Sequence, residues 1–263
     1  MDDSAPLTRA ALQEHAARIY APIAEVWPPE RYAEPHAPPS QIAAELGRRL
    51  ASQLLRHQGL YVSDHRANAM VYVSEGMERL LGHSAAEFAA GQYVFIHPED
   101  LPVVTAATVL VNQYIAARLD DPLAGIMLTV DYRIRHARGH YVRVLRQNLL
   151  LSREPNGAVV GSAGILTDIS AHKVTNDVRF HVNRADFPAF VRQQQLGTLP
   201  VALSRREQEV LNLVLEGQTS QQIAQRLGLS MATVSTHRRN FKRKVGSQDP
   251  FHLLRHLDVE AAQ

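Results

Sequence analysis

The period of the hydrophobic pattern changes along the chain and divides it into four stretches. In residues 1–57 apolar positions recur at helical spacing in two runs, split by the proline-rich WPPERYAEPHAPPS. The second run, QIAAELGRRLASQLLRHQ, sets Ile42, Leu46, Leu50 and Leu54 four apart among arginines and glutamines, which draws one apolar stripe along a helix. So narrow a stripe serves either of two partners, the domain that follows or a second copy of itself. These four residues are therefore the dimerisation candidates.

From residue 58 the period shortens. GLYVSD and MVYVS are β-branched and aromatic runs joined by the polar DHRAN, the pattern of a hairpin. Two short helices are punctuated at both ends. One opens at Ser74 and stops at Gly82; the other pairs Ser84 with Glu87 as a capping box and stops at Gly91. A longer helix is expected from about Pro102 to Arg118. In GIMLTVDYRIRHA the residues alternate, with Ile126, Leu128, Val130, Tyr132 and Ile134 on one face and Met127, Thr129, Asp131, Arg133 and Arg135 on the other. That is a half-buried antiparallel strand. YVRVLRQNLLL and AVVGSAGILTDIS follow it in meander order, the latter after the Asn156-Gly157 turn.

This β-β-α-α-α-β-β-β order resembles a PAS domain over residues 58–170, and the words YVSEGMERLLGHSAAEF, FIHPEDLP and GILTDIS are similar to recurring segments of that family. The resemblance implies a five-stranded antiparallel sheet with helices on one face, enclosing a small pocket or forming a dimerisation surface. Ile126, Leu128, Val130 and Tyr132 are core residues first and pocket lining second. Residues 171–200 read as a connector, with room for an extra strand in NDVRFHVNR and a helix in ADFPAFVRQQQ.

Residues 201–263 return to helical period with dense punctuation. Ser204 with Glu207 and Thr219 with Gln222 form capping boxes, Gly217 and Gly228 follow helices, and Ser230 caps a third helix. Asp249-Pro250 opens a fourth. Val210, Leu211, Val214, Ile223, Ala224 and Leu227 are the shared core of the first two. Wound at about 100° per residue, the third helix brings Phe241 and Val245 back to within about 20° of Val234 as a narrow core stripe. Ser235, Thr236, Arg239 and Arg243 fall nearly opposite. Arg238 and Lys242 lie on one flank, His237 and Lys244 on the other, and SMATVSTHRRNFKRKVG contains no acidic residue. A merely solvated helix face usually mixes in carboxylates for i,i+4 pairs. A helix in the major groove needs base-edge readers on its ridge and cations on each side.

LSRREQEVLNLVLEG, IAQRLGLS and ATVSTHRRNFKRKVG resemble the LuxR/GerE-type helix-turn-helix without a gap. The resemblance implies base contacts at Ser235, Thr236 and Arg239 and a phosphate contact at His237. With the helical wheel it makes Ser235, Thr236, Arg239 and Arg243 the base readers and His237, Arg238, Lys242 and Lys244 the phosphate contacts. Arg238 departs from the family pattern, where many members carry an aliphatic residue; here its stem can pack while its head reaches the backbone of the nucleic acid.

The fold class is thus α+β: a PAS-like sheet domain and a separate four-helix, all-α domain. Its parts are a helical extension (1–57), the PAS-like domain (58–170), the connector (171–200) and the helix-turn-helix domain (201–263). Composition narrows the chemistry. Of 263 residues, 45% are hydrophobic and 21% charged, and the net charge is only +2, so attraction to a polyanion has to come from local clustering. The absence of cysteine rules out disulfides, thiolate metal sites, flavin–cysteine adducts and thioester chromophores. Haem is disfavoured, because Leu101 to Leu119 holds no histidine where such domains supply one. Autoinducer-binding domains match poorly, since the sole tryptophan, Trp27, lies outside the central stretch. His136 and His140 flank a turn, His252 and His256 lack a third ligand, His97 starts a helix and Glu207 is a cap, so no metal is expected. Nor does any acid, base and nucleophile set mark an enzyme. MDDSAPLTRAALQEH has no secretory pattern, and no stretch approaches the ~20 apolar residues of a membrane span. The expectation is a cytoplasmic transcription regulator that binds double-stranded DNA as a homodimer, with RNA polymerase as a further partner. Its PAS-like domain either senses a small molecule or partner, with no resident cofactor, or only dimerises.

Overall fold

The computed structural model describes residues 9–33, 41–118, 125–197, 204–215, 218–245, 253, 256 and 257. The chain divides into two compact units, 1–184 and 185–263.

The first unit is built on an antiparallel sheet of β1 (Gln58–Asp64), β2 (Ala69–Val73), β3 (Met127–Arg135), β4 (Tyr141–Arg153), β5 (Val159–Asp168) and β6 (Phe180–Val182). The strand order is β2-β1-β5-β4-β3-β6. The sheet therefore has six strands where five were expected. The sixth comes from the presumed connector and pairs Val182 with Leu128 and Phe180 with Val130. An open edge on β3 would leave a row of unpaired backbone groups, and Phe180 and Val182 bury their side chains while closing it.

Helices α1 (Arg9–Ala24), α2 (Gln41–Ala51), α3 (Glu75–Leu81), α4 (Ala85–Gly91) and α5 (Leu101–Ala116) surround the sheet. Leu50 and Leu54 of the predicted stripe pack on Leu60, Val62 and Ala163 of the sheet. Ile42 and Leu46 stay 83% and 38% exposed. The stripe is thus divided between the protein's own core and its surface. Opposite α2, the face carrying Tyr61, Ser63 and Leu128 looks onto α1, α4 and α5 around a cavity.

The N-terminal segment is an integral part of this unit. Trp27, expected outside the domain, is buried and donates from Nε1 to Asn112 Oδ1 of α5 at 2.7 Å. Tyr32 donates to the Val159 carbonyl at 3.1 Å. Both partners are distant in sequence, so no local period announces them.

A buried ionic cluster anchors α5 to the sheet. Asp100, from the HPED word, accepts from the Arg133 backbone N–H at 2.7 Å and from its Nε at 3.1 Å. Arg143 and Lys173 both engage Asp131, the latter at 2.9 Å.

The second unit holds α6 (Phe187–Gly197), α7 (Arg205–Leu215), α8 (Ser220–Leu227) and α9 (Met231–Val245). Val210, Leu211, Leu213, Ile223, Ala224 and Val234 form its core, with Val214, Leu227 and Leu229 against them. Both expected capping boxes are present: Ser204 with Glu207, and Thr219 with Gln222. Gly228 has φ +64°, a left-handed conformation that L side chains resist, and it turns the chain from α8 into α9. The expected fourth helix lies mostly outside the described residues, as do Gly217, Asp249 and Pro250; Leu253 and Leu257 are buried. No helix among the described residues is long and apolar enough to cross a membrane.

Candidate nucleic-acid interface and ligand cavity

Helix α9 is started by Ser230, whose Oγ accepts from the Thr233 backbone N–H at 3.0 Å. Val234 is fully buried against α7 and α8. Fixing Val234 inward fixes what faces out, because 3.6 residues make a turn. Ser235, Thr236 and Arg239 are exposed, and His237 and Arg238 are half-buried. The Thr236 hydroxyl donates to the Ala232 carbonyl at 3.0 Å, which holds its methyl and lone pairs in a set direction. Arg238 donates from Nη1 to Ser220 Oγ at 2.9 Å, tying α9 to the first residue of α8. Lys242, Arg243 and Lys244 continue α9, but their side chains lie outside the described residues, as do those of Phe241 and Val245.

The cavity of the first unit has a volume of about 70 Å³. Its sheet wall comes from Tyr61 and Ser63 of β1, Leu128 of β3, Arg146, Asn148 and Leu150 of β4, and Ser162 of β5; its helical wall from Tyr20, Ile23, Thr108 and Asn112. Of the four predicted lining residues, Ile126 and Leu128 border it, whereas Val130 and Tyr132 are buried in the core beside it. Gly164 makes the sheet wall possible. A Cβ there would stand 2.2 Å from the Tyr61 ring, which crosses over β5 so that its hydroxyl meets Asn148 Nδ2 at 3.1 Å. Burial pushes the Tyr20, Tyr93 and Tyr132 phenols up, so all three keep their protons. His65 bonds Ser162 Oγ through Nε2 at 2.9 Å, and burial pushes its pKa down to about 4. Beyond Tyr20, Ser63, His65, Gln92 and Tyr93 an outer cleft of about 300 Å³ opens, lined also by Gln13, Ala16 and Ala17 of α1.

Residues 201–257 match the family model described as bacterial regulatory proteins, luxR family, and residues 70–166 match that of the PAS fold. The chain carries a PAS domain and a LuxR-family helix-turn-helix domain. The helix-turn-helix match is to a family of bacterial regulatory proteins. The transcriptional regulatory protein MctR of Rhizobium johnstonii is 30% identical over 124 residues, covering 43% of this chain and 57% of that protein. The chain thus spans little more than half the length of that relative. A crystal structure of a Vibrio cholera VqmA–ligand–DNA complex shares 20% identity over 79% of this chain and 83% of its own, with a TM-score of 0.30. The PAS domain of a Colwellia psychrerythraea protein shares 21% over 48% of this chain and 96% of its own, with a TM-score of 0.35.

The remaining sequence candidates have local roles in these two domains. In the PAS domain His136 and His140 stack across their turn, with ring centroids 4.4 Å apart, and His97 Nδ1 accepts from the Glu99 N–H at 3.2 Å. In the helix-turn-helix domain Glu207 accepts from the Ser204 N–H at 2.8 Å as a cap; His252 lies outside the described residues. Sequence reasoning passed over Arg146, Asn148 and Tyr20. Arg146 did leave a signal: in VRVLRQN it falls on the same strand face as Val142 and Val144, where an apolar residue belongs.

Proposed function

We propose that this protein is a sequence-specific transcription regulator whose PAS domain responds to a small molecule and thereby controls dimerisation or DNA binding. The outward face of α9 carries the reading. Ser235, Thr236 and Arg239 project from a helix whose opposite side is locked into the core, and α9 contains no acidic residue. Arg239 is the specific reader, because its planar fork matches the two acceptors on the major-groove edge of guanine. To His237, Arg238, Lys242 and Lys244 we assign phosphate contacts and to Arg243 a further base contact, from their positions in the sequence of α9. The similarity to a transcriptional regulatory protein supports the reading, and a two-fold dimer on an inverted repeat follows from the few base pairs one such helix can read.

Selection of duplexes from a random pool tests it. Wild type is expected to return an inverted repeat and to bind it with an affinity that falls steeply with salt, by about −0.9 in log–log slope per neutralised phosphate. Arg239→Ala is expected to relax one base position per half-site, removing about 1–3 kcal/mol of discrimination while leaving non-specific binding intact. A pool that yields no enriched site, or an affinity indifferent to salt, overturns the reading.

A further inference from the structure

The cavity contains a charge without a counter-charge. Arg146 is 1% exposed, and a guanidinium remains protonated under all ordinary conditions. Its Nη2 donates to Thr108 Oγ1 at 2.8 Å, the neutral Tyr93 and Tyr132 hydroxyls also hydrogen-bond to the guanidinium, and among the described residues its Nε has no hydrogen-bond partner. Among the described residues no Asp or Glu lines the cavity. Elsewhere the same sheet matches its buried arginine, for Arg143 sits against both Asp131 and Asp100. An unmatched buried ion costs several kcal/mol, so retaining one in a cavity points to an anion that arrives from outside. A second atom is left unmet nearby: Asn148 Oδ1, buried and without a donor among the described residues. Arg146 and Asn148 are alternate residues of β4 and share its inner face.

We propose that the cavity binds a small hydroxycarboxylate, its carboxylate on the Arg146 fork and its hydroxyl donating to Asn148. The proposal deepens the sensory reading above by naming the class of signal. Two planar oxygens suit a guanidinium that still has Nε–H to give. A carbon skeleton suits the apolar part of the wall, Ile23, Ile126, Leu128 and Leu150, whereas a phosphate dianion would bring two charges to one cation. Size sets the scale. A cavity of about 150 Å³ admits benzene, so the inner 70 Å³ takes a carboxylate and little beyond its α-carbon. Any longer tail runs past Tyr20 and His65 into the outer cleft.

Thermal melting and titration calorimetry of the full chain, at matched ionic strength, test this with sodium glycolate, lactate and acetate beside glycolamide, acetamide and phosphate. Glycolate or lactate at a hundred times its Kd is expected to raise Tm by roughly 5–10 °C, acetate by less, and the neutral amides not at all. Arg146→Met is expected to melt at or above wild type without ligand, since it removes the unmatched charge, and to lose the carboxylate response. Should that variant not fold, Asn148→Ala decides: it is expected to keep a response to acetate while losing the advantage of glycolate. Amides equal to the acids, a response to phosphate alone, no response to any carboxylate, or a full response in Arg146→Met each overturn the proposal. DNA binding is measured on the same preparations. An intact specific site with silent carboxylates sinks only this inference; carboxylate binding without any specific site sinks the regulator reading instead.

Discussion

His65 stands where the inner cavity meets the outer cleft, held between Ser162 Oγ at 2.9 Å and the Tyr20 hydroxyl at 3.4 Å. Burial pushes its pKa from an ordinary 6.5 down to about 4, with the Asp64 carboxylate opposing that shift. The folded protein therefore keeps the ring neutral through a range in which the unfolded chain takes up a proton. Its contribution is complete above about pH 6.5 and is lost as the pH falls towards 4, at up to about 1.4 kcal/mol per unit. Because the side chain is half-buried, a total of about 1–3 kcal/mol is expected. His65→Gln, which keeps a polar group toward Ser162 and cannot ionise, should flatten the stability profile between pH 4 and 6.5. Denaturant midpoints measured across that range check it, and an unchanged slope would assign the acid sensitivity to other groups. The same residue was invisible in the sequence as a site, because its partners come from α1 and from a strand that begins almost a hundred residues later.

At the level of elements, what could be read from the chain was what neighbours within a few positions decide. The capping boxes of α4 and α8, the stop at Gly228 and the alternation along β3 all rest on contacts inside one turn or one strand, and all are present. They can be tested singly. Thr219→Ala leaves the Gln222 backbone N–H, now met by Thr219 Oγ1 at 3.3 Å, without its partner and should destabilise the helix-turn-helix domain by about 1 kcal/mol. A chemical melt of the chain, followed by a probe in that domain, measures it; a change confined to the PAS domain would mean that the cap contributes nothing. What the chain concealed was long-range. Room for the sixth strand was legible in NDVRFHVNR, but its pairing with the edge of β3, some fifty residues earlier, was not. Trp27 looked peripheral because Asn112 lies 85 residues away. Arg146 was concealed differently, as one arginine among several in a strand where Arg143 is also buried, on the opposite face and among carboxylates.

For the whole molecule, the divided stripe on α2 turns the assembly question into a clean experiment. Leu50 and Leu54 are committed to the sheet, whereas Ile42 and Leu46 are exposed. Charging the exposed pair, Ile42→Glu with Leu46→Glu, should leave the melting temperature nearly unchanged, yield monomers in sedimentation and weaken binding to an inverted repeat. Each such residue buried across an interface contributes on the order of 1.5–3 kcal/mol before association costs. A wild type that sediments as a monomer with and without DNA rejects a dimer through this surface, and a double variant that loses thermal stability instead places the pair in the monomer's own packing. The position of α1 has a practical consequence for anyone who dissects the protein. Tyr20 and Ile23 belong to the cavity, yet they lie far ahead of residue 70, where recognisable PAS sequence begins. A fragment trimmed to that sequence would fold around a breached chamber, and its silence towards every compound in a screen would be a property of the scissors.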